Sequence, residues 1–173
     1  MNTPNKLTVS RLILTVFFTI AFYAEMRAGK TVFVISTVLF ILASFTDFLD
    51  GHLARKYNLV TDFGKFMDPL ADKVLICAAM LVLIENSSLP AWMAILIISR
   101  EYAITILRAI AASSGKVIAA SKSGKLKTVT QIAGIVMMLL NTPYAFYMMS
   151  VATAITFYSG FEYIYINRSL LAG

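Results

Sequence analysis

All five aspartates of this 173-residue chain, Asp47, Asp50, Asp62, Asp68 and Asp72, fall in one window of 26 residues or so, inside a sequence that is otherwise strongly apolar. An ionised carboxylate near a bilayer is expensive, so such groups usually face a polar cavity and mark an ion or substrate path. Asp47 and Asp50 are spaced i, i+3, and Asp68 and Asp72 i, i+4. Each pair can therefore share one face of a helix. Two carboxylate-bearing faces that converge across a short loop make a site of hard oxygen donors, suited to Mg²⁺ or Mn²⁺.

The elements that must carry these acids are set by composition. Apolar residues make up 59% of the chain and charged residues 14%, where a soluble domain carries about a quarter charged. Mean hydropathy is +0.79. The chain is expected to be a membrane protein of a single domain, residues 1–173. Spans of about 20 apolar residues are read at 7–26, 31–56, 66–85, 90–112, 121–142 and 144–167, punctuated by Gly29, Pro90, Gly115 and Pro143. The predicted fold is all-α, a polytopic membrane bundle of about six transmembrane helices. Asp47 and Asp50 end the second span and Asp68 and Asp72 begin the third, which places both pairs on one side of the membrane.

Charge names that side. With the N-terminus inside, most of the basic residues, from Lys6 and Arg11 through Arg55 and Lys73 to Lys127 and Arg168, fall at cytoplasmic ends, whereas the opposite loops receive Arg27 and Lys30. The positive-inside rule then puts both termini and the acids at the cytoplasmic face. The net charge of +6 reads as contact with anionic headgroups and phosphorylated substrates rather than with nucleic acid. The single cysteine, Cys77, excludes an intrachain disulfide and is expected to pack within its helix. No cleavable signal peptide is evident, because the first apolar run lacks a small-residue cleavage site.

The acid window resembles a known family. Asp47, Asp50, Gly51, Ala54, Arg55, Gly64, Asp68 and Asp72 match, position for position, the D-x-x-D-G-x-x-A-R-x8-G-x3-D-x3-D signature of the CDP-alcohol phosphatidyltransferases, membrane enzymes that move a phosphatidyl group from a CDP-linked lipid to an alcohol. Gly51 lets a nucleotide approach the backbone, and Ala54, seven residues after Asp47, leaves room on the same face. Arg55 can bind a diphosphate oxygen or lock an aspartate through a bidentate contact. Gly64 suits close approach to the ribose. Pro4-Asn5-x-x-Thr8-x-x-Arg11 is similar to the family's approach to its first helix, so that Asn5 and Thr8 are expected at the CDP-lipid and Arg11 at the diphosphate or the acceptor phosphate. The bland reading of the same run is a helix cap followed by an interfacial anchor.

Further runs narrow the expected acceptor. Arg100-Glu101 with Arg108, and Gly124-Lys125-Leu126-Lys127-Thr128, resemble the branch that uses sn-glycerol 3-phosphate. Arg100 and Arg108 lie about 80° apart around a helix and, with Lys125 and Lys127, are expected at the acceptor phosphate. Pairing of Arg100 with Glu101 or Glu85 is the structural alternative, and a polybasic lipid-binding strip is the alternative for the lysines. The resemblance implies CDP-diacylglycerol plus sn-glycerol 3-phosphate giving phosphatidylglycerophosphate and CMP, in a homodimer embedded in membrane lipids of the cell (inner) membrane. Two divalent ions, Mg²⁺ or Mn²⁺, are expected on Asp47, Asp50 and Asp68, with Asp72 close to them and serving as general base.

Three rivals stand beside this reading: the same family with another acceptor (inositol phosphate, serine or phosphatidylglycerol), an intramembrane prenyltransferase, and a small Mg²⁺ transporter. A transporter distributes its acids along a path through the membrane, whereas these gather at one face. Glu25, Glu162, the aromatics of the last span and the Met-rich stretch 137–149 read as bundle packing and interfacial belts.

Overall fold

The structure is a computed structural model that describes the backbone of residues 3–56, 62–113 and 122–168 and the side chains of residues 8–46, 70–112 and 123–168. Among these residues there are six α-helices and no strand: α1 (Thr3–Arg27), α2 (Val34–Lys56), α3 (Asp62–Glu85), α4 (Ala91–Ser113), α5 (Lys122–Leu139) and α6 (Ala145–Ile166). Pro4 falls in the first turn of α1, where its missing N–H leaves no helical bond unmade.

Three helices stop in the same way. The N–H of Gly29 donates to Met26 O and that of Lys30 to Glu25 O, at 3.0 and 3.1 Å. The pattern recurs at Ser87 and Ser88 after α3, and at Asn141 and Thr142 after α5. This is the Schellman arrangement, which satisfies orphan carbonyls by placing one residue in the left-handed region. Gly29 (φ 71°), Ser87 (φ 59°) and Asn141 (φ 51°) are those residues. The left-handed turn explains why α5 ends at Leu139, short of the expected span, which reaches 142.

The start of α2 is set from outside the helix. Glu25, buried near the end of α1, accepts from the N–H of Ile35 at 3.1 Å and from the N–H and hydroxyl of Ser36 at 3.0 and 2.6 Å. A carboxylate there satisfies helix N-terminal donors and faces the positive end of the helix dipole. Consequently α2 begins at Val34, and residues 31–33 of the expected span belong to the turn. Phe33 stacks on Phe22 with ring centroids 4.3 Å apart, and its N–H donates to Leu139 O at 2.9 Å, which ties the first hairpin to the end of α5.

The packing is that of a bundle around α3. That helix touches α1, α2, α4 and α5, while the closest associations are between the sequential pairs α1–α2 and α5–α6. Phe18, Phe22 and Phe40 from the first pair meet Leu75, Met80 and Leu83 of α3 and Ile97, Ile135 and Leu139 of α4 and α5 in one apolar core. On α6 the inward face is built mainly of small residues, among them Ala152, Thr156, Ser159 and Gly160, and large side chains such as Phe157, Tyr158, Phe161 and Tyr165 are exposed. Small inside and large outside is the pattern of helices packed in lipid, where close backbone approach rather than burial from water drives association. A Cβ on Gly134 of α5 would stand 3.3 Å from the Cα of Met149 on α6.

Exposed Phe17, Ile20, Leu81, Ile95 and Val129 continue the apolar surface around the other helices. A helix with apolar residues on its outward face as well as its inward one belongs in a membrane or a large core. Thr8–Arg27 alone among the described helices is both long and apolar enough to cross a membrane by length and composition, and Val34–Thr46 is a shorter apolar segment. The molecule is a membrane helix bundle.

Candidate active site

The acid-bearing segments are the end of α2 and the beginning of α3, helices that pack on each other. Asp47, Asp50, Gly51, Ala54 and Arg55 stand on α2, Gly64 and Asp68 on α3, and Asn5 on the first turns of α1. The side-chain surroundings of all eight lie outside the described residues, as does the side chain of Asp62, which opens α3. The described part of the site therefore starts at Asp72, one turn beyond Asp68.

Asp72 is partly buried and lines a narrow cleft between α3, α4 and α5. Facing it across the cleft are Glu101 of α4 and Lys127 of α5, with Gln131 deeper, and the apolar wall includes Ile76, Cys77 and Ile97. Cys77 thus borders the cleft as well as packing in its helix. Helical periodicity brings the polar residues here: Asp72 and Ile76 lie one turn apart on α3, and Lys127 and Gln131 one turn apart on α5.

Glu101 is the hub of the charged wall. Its Oε1 accepts from the Lys127 ammonium and from Nη1 of Arg100, the latter at 3.3 Å. All three side chains are largely withdrawn from solvent, with exposures of 17% for Glu101, 12% for Arg100 and 8% for Lys127. Of the two carboxylates weighed as partners for Arg100, Glu101 is the one used. Glu85 instead accepts from the hydroxyl of Tyr23 at 2.5 Å. The Nε of Arg100 is buried without a hydrogen-bond partner among the described residues. Gln131 continues the polar line inward, its amide nitrogen Nε2 donating to Thr156 Oγ1 of α6 at 2.9 Å.

The other basic candidates are placed differently. Thr8 and Arg11 are wholly buried on α1, a setting in which an arginine needs polar or anionic company. Arg108, two turns beyond Arg100, is reached by α6: its Nε–H donates to the Tyr163 hydroxyl at 2.9 Å, and its guanidinium carbon lies 5.3 Å from the centroid of the same ring. Lys125 is exposed, because two residues along a helix rotate it about 200° away from Lys127. The cleft therefore assembles Asp72, Glu101, Lys127 and, through Glu101, Arg100, while Arg108 and Lys125 stand apart from it.

From the sequence Glu101 reads as a counter-ion alone, Tyr163 as one of the packing aromatics of the last span, and Gln131 carries no assigned role. Gln131 had a usable signal, since a polar residue four positions after Lys127 in an apolar helix marks the same face. Glu162, read as packing, accepts a hydrogen bond from Ser123 at the start of α5, a link between helices that no local pattern signals.

The donor set suits hard divalent ions. Four carboxylates stand on the adjoining ends of two packed helices, and the one whose side chain is described, Asp72, faces a cleft rather than lipid. Oxygen-only donors of this kind match Mg²⁺ or Mn²⁺ and offer nothing to softer metals.

Comparison with known proteins agrees in kind. The family model described as CDP-alcohol phosphatidyltransferase matches residues 1–158, so the last turns of α6 lie beyond it. The chain is 43% identical to a CDP-diacylglycerol--glycerol-3-phosphate 3-phosphatidyltransferase of Bacillus subtilis, over 98% of this chain and 97% of that protein. It is 43% identical to the protein of the same name from Haemophilus influenzae, over 76% of this chain and 71% of the relative. A probable phosphatidylglycerophosphate synthase of Mycobacterium tuberculosis is 37% identical over 94% of this chain and 80% of its own length.

Proposed function

The chain belongs to the CDP-alcohol phosphatidyltransferase family, and from that premise we infer that it transfers the phosphatidyl group of CDP-diacylglycerol to sn-glycerol 3-phosphate, releasing CMP and phosphatidylglycerophosphate. The observation that carries the reading is the pairing, in one cleft, of a family-signature carboxylate, Asp72, with a buried cation, Lys127. A reaction between an alcohol and a diphosphate needs a proton acceptor beside a place for phosphate charge. The names of the relatives support glycerol 3-phosphate as the alcohol.

Asp47, Asp50, Asp68 and Asp72 are the residues that would hold two divalent ions. When bound, such ions neutralise the donor diphosphate and the departing CMP. Asn5, Thr8, Asp47, Gly51, Ala54, Arg55 and Gly64 take the nucleotide end of the lipid donor. Asp72 accepts the proton of the glycerol 1-hydroxyl as that oxygen attacks the β-phosphorus, and the bond from phosphorus to the oxygen of CMP breaks in the same displacement. Lys127 and Arg100 hold the acceptor phosphate at the cleft, joined by Arg11 and by Arg108 from two turns along α4, since that group carries about two negative charges and calls for several cations; Lys125, exposed on the opposite side of α5, does not face it. Glu101 keeps Arg100 and Lys127 together before the acceptor arrives. The enzyme works as a homodimer in the cell membrane, with its site and both termini at the cytoplasmic face, in keeping with the distribution of lysine and arginine.

The test is incubation of the purified protein with CDP-diacylglycerol and a panel of alcohols, reading CMP and the lipid product. CMP release that depends on glycerol 3-phosphate is the expected result. Release with serine or inositol phosphate alone would reassign the acceptor, and no release with any alcohol would end the enzymatic reading.

A further inference from the structure

Two arginines of α4 are seated on the last turns of α6. A Cβ built on Gly160 would stand 2.9 Å from Cγ of Arg100, so the bare backbone is what leaves Arg100 its course. One turn on, Tyr163 meets Arg108 twice, by the hydrogen bond from Nε–H to its hydroxyl and by its ring against the guanidinium.

Tyr163 is itself packed inside the bundle. Its side chain is buried, 3% exposed, and its carbonyl accepts from the amide nitrogen Nδ2 and the backbone N–H of Asn167, at 2.8 and 3.2 Å. The preceding residue, Glu162, is tied to Ser123 of α5. A buried tyrosine that occupies Nε–H leaves the Nη edge of the guanidinium, an edge that can bind phosphate in a bidentate fashion. Among the described residues no side chain engages that edge of Arg108.

We propose that Tyr163 is a positioning residue for the acceptor phosphate, fixing Arg108 so that its Nη edge is presented to that group. The proposal deepens the function above and rests on it for the role of Arg108. A tyrosine that merely pins α4 to α6 would act on stability alone, whereas a positioning tyrosine acts on acceptor binding and does so through Arg108.

The experiment is a double-mutant cycle in the full-length enzyme, with Tyr163→Phe and Arg108→Gln made singly and together, and with KM for glycerol 3-phosphate, KM for CDP-diacylglycerol and kcat measured for each. Loss of a hydrogen bond to a charged group corresponds to roughly a tenfold effect. Tyr163→Phe is expected to raise the acceptor KM by about that factor with the donor KM unchanged, and to add nothing in the Arg108→Gln background, because coupled residues are non-additive. Arg108→Lys approaches the same contact from the other side, keeping the charge without an Nε–H, and should be indifferent to Tyr163→Phe. An unchanged acceptor KM in Tyr163→Phe, or an equal rise with and without Arg108, overturns the proposal. Should the wild-type enzyme use a different alcohol, the function is reassigned and the cycle is read with that alcohol: a phosphate-bearing one that shows the coupling upholds the role of Tyr163, and a phosphate-free one overturns it.

Discussion

Glu25 and Ser36 are joined twice, since one carboxylate oxygen of Glu25 receives both the backbone N–H and the hydroxyl of Ser36, at 3.0 and 2.6 Å. A side chain of α1 thereby caps α2 across the intervening turn. Asp47 lies eleven residues further along α2, about 16 Å at 1.5 Å per residue. Glu25→Ala leaves the buried N–H and hydroxyl of Ser36, and the N–H of Ile35, without their acceptor and should cost about 2 kcal/mol of stability. Thermal unfolding in detergent checks this, and the acceptor KM of the folded variant should stay at the wild-type value. An unchanged unfolding temperature would remove the cap from the account of the fold.

Asp47→Asn, Asp50→Asn and Asp68→Asn should each abolish CMP release while the protein still folds, because each removes an anionic oxygen donor from the ion site. Chelation should do the same to the wild type, and added Mg²⁺ or Mn²⁺ should restore it. Full turnover in excess chelator would sink the two-ion proposal.

Asp72 sits where it can serve either the ions or the incoming hydroxyl, and the two roles respond differently to substitution. Proton transfer by a placed carboxylate contributes about 10²–10⁴-fold. As the base, Asp72→Asn lowers kcat by that order with little change in donor affinity or in the metal concentration needed. Recovery of near wild-type turnover at raised Mg²⁺ would show a ligand rather than a base.

Glu101 carries two buried cations on one oxygen. Glu101→Gln strands both, and breaking such a pair from one side typically costs about 3 kcal/mol. Lys127→Met introduced beside Glu101→Gln removes one of the stranded charges and should recover part of the lost stability, even though acceptor binding stays impaired. Chemical or thermal unfolding of the two variants provides the comparison. A double variant less stable than Glu101→Gln alone would mean that Lys127 has another anionic partner of equal weight.

Much of this architecture is legible from the chain, for identifiable reasons. Apolar runs, broken by Gly29, Pro90 and Pro143, place all six helices. Their ends shift where a contact from elsewhere decides them, as Glu25 does for α2 and the left-handed Asn141 for α5. The site divides along the same line. Aspartate spacing within α2 and α3 is a local pattern and readable, and the face shared by Lys127 and Gln131 follows from one helical turn. The joining of Arg108 to Tyr163, or of Ser123 to Glu162, depends on which helix lies beside which. Periodicity within one helix carries no record of that neighbour, so these links emerge only from the packed bundle.

The placement of α4 against α6 bears on how the protein is made. α4 has more of its packing on α6 than on α3, the helix synthesised just before it. Arg100 therefore leaves the ribosome well ahead of Gly160, over which it lies, and ahead of Lys127, with which it shares Glu101. An arginine near the centre of an inserting helix costs about 2.5–3.5 kcal/mol at the translocon. During synthesis Arg100 has Glu101 of its own helix as a partner, and the rest of its surroundings is completed when α5 and α6 fold back onto it. Biogenesis thus makes its own demand on the C-terminal helix: a nascent chain interrupted before α6 holds a charged helix in lipid with its shelter still unmade.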